Sequence, residues 1–279
     1  MEEKSILITG CSSGIGICVA EGLLKRGYRV FATARKHEDV EALLNKGMES
    51  FQLDLDDSIS IKGAVHEVLN KTEGKLFALF NNGGFGQPGA VEDLRRDVLR
   101  EQFETNVFGY LELTNLILPT MRKQGYGRII QNSSILGFIS LPFRGAYTAS
   151  KHALEGLSDT LRMELKGTDI FVSIIEPGPI EAKFRQNAYA KYKENIDAKS
   201  SYFHGKYKVM EERLTKETTP LPFALPATAV LEKVLQALEN SKPKARYYVT
   251  LPTYIFAGLK RLLPAFLLEK LLISAGTRF

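Results

Sequence analysis

Ser5-Ile6-Leu7-Ile8-Thr9-Gly10-Cys11-Ser12-Ser13-Gly14-Ile15-Gly16 is the stretch on which the fold of this chain turns. Residues 5–9 read as a short buried strand and residues 14–26 as a helix, so the glycines fall in the turn between them. A strand that stops abruptly before a helix needs a tight turn, which Gly10 supplies. A phosphate reaches a helix N-terminus only where side chains are absent, which suits Gly14, and Gly16 lets the helix lie close on the sheet. The backbone from Gly10 through Ser12, Ser13, Gly14, Ile15 and Gly16, with the helix dipole behind it, is therefore an expected anion site. Dinucleotide binding is favoured over a plain strand-to-helix turn.

Outward from this turn the pattern repeats. Strands are expected over 28–33, 50–53, 76–80, 128–132 and 170–175, and helices over 40–46, 58–71, 95–124 and 147–165. Strands alternating with helices of 10–15 residues predict βαβ units and a parallel sheet. The strands are continuous apolar runs, as expected when helices cover both faces. Nothing resembles a linker or a short repeat, so residues 1–279 read as one domain. Residues 183–226 break the rhythm. They are polar yet rich in aromatics (Phe184, Tyr189, Tyr192, Tyr202, Phe203, Tyr207, Phe223), which predicts an irregular substrate lid.

The second strand ends Phe31-Ala32-Thr33-Ala34-Arg35-Lys36, with no acid before Glu38. An NAD site usually has a carboxylate there for the ribose 2′-hydroxyl. Arg35 instead can grip a 2′-phosphate bidentately, so the expected cofactor is NADP.

Composition narrows the classes. The 279 residues are 44% hydrophobic and 25% charged, with 23 Gly and 11 Pro, which excludes collagen, a coiled coil and wholesale disorder. Two cysteines make no disulfide scaffold, and four histidines without an HExxH pattern predict no metal site. The formal charge of +5 is uneven: residues 242–279 hold seven cations against Glu269 alone, leaving the rest near −1. No nucleic-acid face is expected in the main body.

Tyr147-Thr148-Ala149-Ser150-Lys151 puts a phenol and an amine one helical turn apart on one face. Two other YxxxK pairs, Tyr189 with Lys193 and Tyr202 with Lys206, fall in the segment read as irregular. Ser134 follows a buried strand and can face Tyr147 at the carboxyl edge of the sheet, where ligands bind in open α/β folds. Reducing a carbonyl needs a hydride and a proton on oxygen. A tyrosine can give that proton, and a neighbouring ammonium is expected to bring its pKa down toward operating pH. Ser134 can stabilise the charge developing on oxygen.

With these motifs in order, the chain resembles the short-chain dehydrogenase/reductase family over about residues 5–180. The resemblance also rests on Asp54-Leu55, Asn81-Asn82-Gly83-Gly84, Asn106 and Pro177-Gly178. It implies a Rossmann-type, doubly wound, mostly parallel sheet of seven strands in the order 3-2-1-4-5-6-7. Asp54 would accept from the adenine amino group, with Leu55 against the ring. Asn82 and Gly83 would line the adenine ribose. Asn106 would complete a tetrad with Ser134, Tyr147 and Lys151 by holding a water that relays protons to Lys151. Lys151 would also bind the nicotinamide ribose, and the backbone of Ile180 would meet the carboxamide. Gly83 replaces the family's usual alanine, and Ala182 replaces the usual threonine of PGxxxT. Cys11 in the phosphate turn reads as a small filler.

Residues 141–147 and 151–157 look like the hydroxysteroid and retinol dehydrogenase branch. With Phe85, Phe138, Leu141, Phe143 and the lid aromatics, they imply a lipophilic aldehyde, ketone or alcohol as substrate. The expected activity is NADP-dependent carbonyl–alcohol interconversion. A non-catalytic NADP sensor and a nucleotide-sugar epimerase or dehydratase are the competing classes. The tail over 253–279 mixes cations with apolar residues, and its charges and Pro264 argue against a span. It either lies on a membrane surface or covers the cleft or a subunit interface. Met1-Glu2-Glu3-Lys4 opens no signal peptide, so a cytoplasmic enzyme is expected, with the tail as a candidate membrane contact. Family habit implies a homodimer or homotetramer through the helices near 95–124 and 147–165.

Overall fold

Strand β1 (Ser5–Ile8) pairs in parallel with β2 (Arg29–Ala34) on one side and β4 (Ala78–Asn81) on the other. Adding β3 (Glu49–Gln52), β5 (Tyr126–Asn132), β6 (Asp169–Glu176) and β7 (Arg246–Tyr248) completes a seven-stranded sheet in the order β3-β2-β1-β4-β5-β6-β7. Every pairing is parallel. The architecture is a doubly wound α/β fold, described over residues 4–182, 184–215 and 223–276 of a computed structural model.

Alternation along the strands builds two cores. Ile6 and Ile8 of β1 point to one face, where α1 (Gly14–Lys25), α2 (His37–Leu44) and α9 (Thr228–Glu239) pack. Leu7 points to the other, under α3 (Ser58–Lys71), α5 (Gly109–Gln124) and α6 (Gly145–Glu164). The chain leaves β1 toward β2 and β3, then returns to β4 on its other side. This strand-order reversal opens a crevice at the carboxyl ends of β1 and β4.

One expectation needs correction and two gain detail. The long helical stretch expected over 95–124 is α4 (Arg96–Phe103), a π-helical turn Glu104–Phe108 and α5 in one continuous run. The Asn106 side chain inside that turn bonds outward to the backbone of Phe85, a local arrangement that periodicity does not reveal. The irregular lid is two helices, α7 (Phe184–Asn195) and α8 (His204–Thr215). They pack through Tyr192, Ile196, Tyr207 and Met210, whose spacing was masked by the many polar residues between them. Lys183 and residues 216–222 of the expected lid lie outside the described residues. The tail likewise forms α10 (Leu251–Leu262) and α11 (Ala265–Gly276), broken at Pro264; residues 277–279 are also outside the described residues.

Candidate active site

Ser134, Tyr147 and Lys151 meet where β5 ends. The chain turns there through Ser133 and Ser134 into a 3-10 turn, Ile135–Gly137. Ser134 caps that turn, its Oγ accepting from the Leu136 N–H at 3.1 Å. Tyr147 lies in the first turn of α6, and the Ser134 hydroxyl stands close enough to its phenol to act on its acidity. Lys151, one turn on, is buried, with Nζ 5.7 Å from the centre of the Tyr147 ring and 5.3 Å from that of Tyr110. Its ammonium donates to the Asn132 carbonyl at 2.7 Å.

The electrostatics differ from the expectation. Burial pushes the Tyr147 phenol up to about 12, outweighing the nearby Ser134 hydroxyl, which favours the phenolate. Burial also brings Lys151 down to about 7, against the opposing pull of Glu155. Desolvation thus weakens the very charge that was expected to acidify Tyr147. The phenol keeps its proton and stands as a donor.

Asn106 is fully buried. Its Oδ1 accepts from Phe85 N–H at 3.2 Å, and its Nδ2 donates to Phe85 O at 3.0 Å and Ser150 Oγ at 3.1 Å. These bonds fix the loop after β4 against α6. They bring Asn106 against α6 at Ser150, the residue before Lys151.

The cofactor candidates line the crevice. The N-terminus of α1 carries no side-chain cap at Ser13 and no acid in its first turn, which leaves the end of its dipole open to an anion. Gly10 (φ 70°) sits so close to the loop after β4 that a Cβ there would fall 2.5 Å from Gly83 Cα. Asn82 locks the same contact, its Nδ2 donating to the carbonyls of Thr9 (3.0 Å) and Gly10 (3.2 Å). Gly10→Ala is therefore expected to lower the melting temperature and to weaken dinucleotide binding. Thermal melting and equilibrium titration of NADPH check both. Leu55 packs beside Gly83, and Asp54, held by the Ser60 hydroxyl at its N–H, lies next to it past the end of β3. Arg35 is exposed at the end of β2, while Lys36 beside it is paired with Glu38 at 3.1 Å. Past β6, the Pro177 carbonyl accepts from Ile135 N–H (2.7 Å), tying Pro177-Gly178 to the Ser134 turn. Ile180 bridges Leu225 through the Pro179 carbonyl and Glu181 N–H, so its own backbone groups stay out of that ladder. The open helix end, the close glycine contacts and the freed Ile180 backbone fit an extended dinucleotide. Cys11 is buried and its thiol pushed up to about 12, which makes it an inert filler.

Around Tyr147 the walls are apolar. Phe184 from α7 lies over it, ring centres 5.4 Å apart. Leu268 and Leu272 of α11 and Phe256 of α10 pack with Tyr147, Leu136, Ile139, Phe138 and Leu141. The inner face of the tail therefore packs on this chain, against the turn that follows Ser134. Most lid aromatics do not line this space. Phe143 meets Phe203 and Tyr207 edge-on at 5.4 and 5.5 Å and belongs to the internal core of α7 and α8, and Tyr202 is 89% exposed. Tyr189 and Lys193 do share a helix, so their pair differs from Tyr147 and Lys151 by its distance from the sheet edge, not by irregular structure.

Sequence reasoning missed the support beneath the site. Ser133 Oγ donates to Glu155 Oε1 at 2.7 Å, and Glu155 Oε2 accepts from Arg246 Nη1 at 2.5 Å. The same Nη1 bonds Glu176, and Arg246 Nη2 donates to Asp159 at 2.6 Å. Gly137 leaves the space for this: a Cβ there would lie 1.9 Å from Glu155 Oε1. Glu155, four residues after Lys151 within an apolar helical stripe, was the available signal.

The chain matches a family model described as short chain dehydrogenase over residues 4–193. It is 42% identical over 270 residues to the uncharacterized oxidoreductase YbbO of Escherichia coli K12, covering 97% of this chain and 94% of that protein. Over 274 residues it is 33% identical to the NADPH-dependent 3-dehydrocapnine reductase of Ornithobacterium rhinotracheale, covering 95% and 94%. A short-chain dehydrogenase structure from Streptomyces avermitilis superposes with a TM-score of 0.77 at 29% identity, over 99% of this chain and 98% of that one.

Proposed function

The chain belongs to the short-chain dehydrogenase/reductase family, and from that footing we propose that it is an NADP-dependent reductase of lipophilic aldehydes or ketones. One arrangement carries this reading: the Tyr147 phenol, its acidity lowered by burial, stands near Ser134 beside Phe184 and the apolar cluster around Leu272. A carbonyl oxygen seated there accepts from both the Tyr147 and Ser134 hydroxyls. When bound, the dinucleotide supplies the hydride. As negative charge builds on the oxygen, the phenol becomes the stronger acid of the pair and its proton crosses. Lys151, held by the Asn132 carbonyl, stands ready to favour the resulting phenolate and to bond the nicotinamide ribose. Asn106 holds the Phe85 loop and is proposed to order the water through which Lys151 is resupplied with protons.

NADP is favoured by Arg35 where NAD enzymes usually have an acid, and a relative 33% identical is named for NADPH. The apolar walls suit a substrate that loses contact with water on binding. Phe108, Leu111, Leu157 and Met163, exposed on the π-turn, α5 and α6, suit a homodimer or homotetramer interface. The proposed location is the cytoplasm.

The test is NADPH and NADH consumption against a panel of carbonyls from small polar to long-chain. Lipophilic carbonyls with NADPH are expected to give the highest kcat/KM, and best turnover of small polar carbonyls overturns the substrate reading. Arg35→Ala is expected to weaken NADPH binding by about ten-fold or more while leaving NADH little changed. Titration of both cofactors measures this, and a wild-type chain binding NADH more tightly than NADPH overturns the cofactor reading.

A further inference from the structure

The α10–α11 pair has two unlike faces. Inward, Leu272 is buried with Leu136 and Ile139, and Leu268, Phe256 and Tyr147 all pack against that cluster, while Lys260 Nζ donates to the Phe138 carbonyl at 2.5 Å. Outward, Leu262 is 81% exposed and Phe266 60%, with Ile255, Leu271 and Ile273 also open to solvent. Ile255 and Leu262 lie seven residues apart on one face of α10, with Leu259 between them; on α11 Phe266 and Ile273 share a face with Glu269 and Lys270. Arg261 and Lys270 stand beside these apolar side chains, with Glu269 as the single acid of the two helices.

We propose that this outer face docks on an anionic lipid surface, with α10 and α11 lying along it and their inner face roofing the catalytic cleft. Charge selects this occupant over a second copy of the chain. A two-fold contact would bring together two copies of a patch in which Arg261 and Lys270 outweigh Glu269, so each copy carries net positive charge into the contact. An anionic headgroup layer instead complements them while the acyl boundary takes up the apolar stripe. Among the described residues no helix is long and apolar enough to cross a membrane, and each of these has 12 residues, so the contact is one of lying on the surface. A lipophilic substrate dissolved in that surface would then meet the roof of the cleft directly. That last step rests on the carbonyl-reductase reading; the adhesion does not.

Flotation of the full chain without substrate, using phosphatidylcholine vesicles with and without phosphatidylglycerol, tests the adhesion apart from catalysis. The bound fraction is expected to be about ten-fold or more higher on the anionic vesicles. Leu262→Glu with Phe266→Glu should abolish it, and Arg261→Gln with Lys270→Gln should reduce it and remove its salt dependence. The second pair of changes leaves the apolar surface intact and guards against misfolding in the first. No flotation of the wild type, or flotation indifferent to both variant pairs, overturns the proposal. So does a glutamate variant that only splits an oligomer in solution, which would assign the face to a second copy. Failure of the carbonyl panel with flotation intact would instead overturn the enzymatic reading alone.

Discussion

Replacing Tyr147 with phenylalanine is expected to lower kcat for carbonyl reduction by about 10²–10⁴-fold, the range for loss of a positioned general acid. The ring, its contact with Phe184 at 5.4 Å and the apolar packing with Leu268 and Leu272 all survive the change. What disappears is one hydroxyl and its proton beside Ser134. NADPH binding and the melting temperature should therefore move little, and KM for the carbonyl should change far less than kcat, because the proton transfer belongs to the transition state. Single-turnover NADPH oxidation with parallel cofactor titration separates these effects. Activity within about three-fold of wild type would remove Tyr147 from the chemistry, since a group giving under the general-acid range is not the donor. The measurement also separates an enzyme from a cofactor-binding sensor, for which the hydroxyl would be dispensable.

The fold was legible because its signals are local and repeated. Ile6-Leu7-Ile8 followed by Gly10, Gly14 and Gly16 gives a strand, a turn and a helix within one short stretch, and the alternation continues to residue 176. Ser134, Tyr147 and Lys151 were legible because one helix turn and one strand end fix their relation. The protonation states were not. Whether an ammonium acidifies a phenol depends on how far both are stripped of water, and that is set by Tyr110, Phe184 and α11, which arrive from distant parts of the chain. The lid helices were hidden for a related reason: their apolar faces are built to meet each other and Phe143, so neither reads as amphipathic toward the sheet. Arg246 looked like one more cation in a basic tail, and only the pairing of β7 with β6 sets it between Glu155 and Glu176.

Arg246→Met is expected to destabilise the chain by about 3–5 kcal/mol, the cost of removing one partner from a buried ion pair. Glu176 is fully buried and Glu155 nearly so, and the guanidinium is the cation that bonds both. For a chain of this size the loss lowers Tm by roughly 6–20 °C. The deficit should depend on pH in a defined direction. Burial and the neighbouring Glu155 already raise Glu176 to about 8, so the folded chain holds a proton there that the unfolded chain releases near the ordinary glutamate value. A raised carboxyl stabilises the fold fully below its unfolded pKa and loses that contribution as pH climbs through the folded one. Without Arg246, which lowers it, the Glu176 carboxyl is raised further. The variant should therefore lie closest to wild type near pH 5 and fall away as pH passes 8. Lys151, lowered to about 7, works the other way in both proteins: the unfolded chain binds its proton more tightly, so its stability term improves from pH 7 upward and cancels in the difference. Adding Glu155→Gln and Glu176→Gln to Arg246→Met removes the stranded charges and should recover most of the lost stability. It should not recover full activity, because Glu155 also holds Ser133, next to Ser134, the hydroxyl proposed to meet the substrate. Thermal melts across the pH range decide the matter, and a single variant melting with wild type at pH 8 would mean that these carboxyls are not stranded by the loss of Arg246.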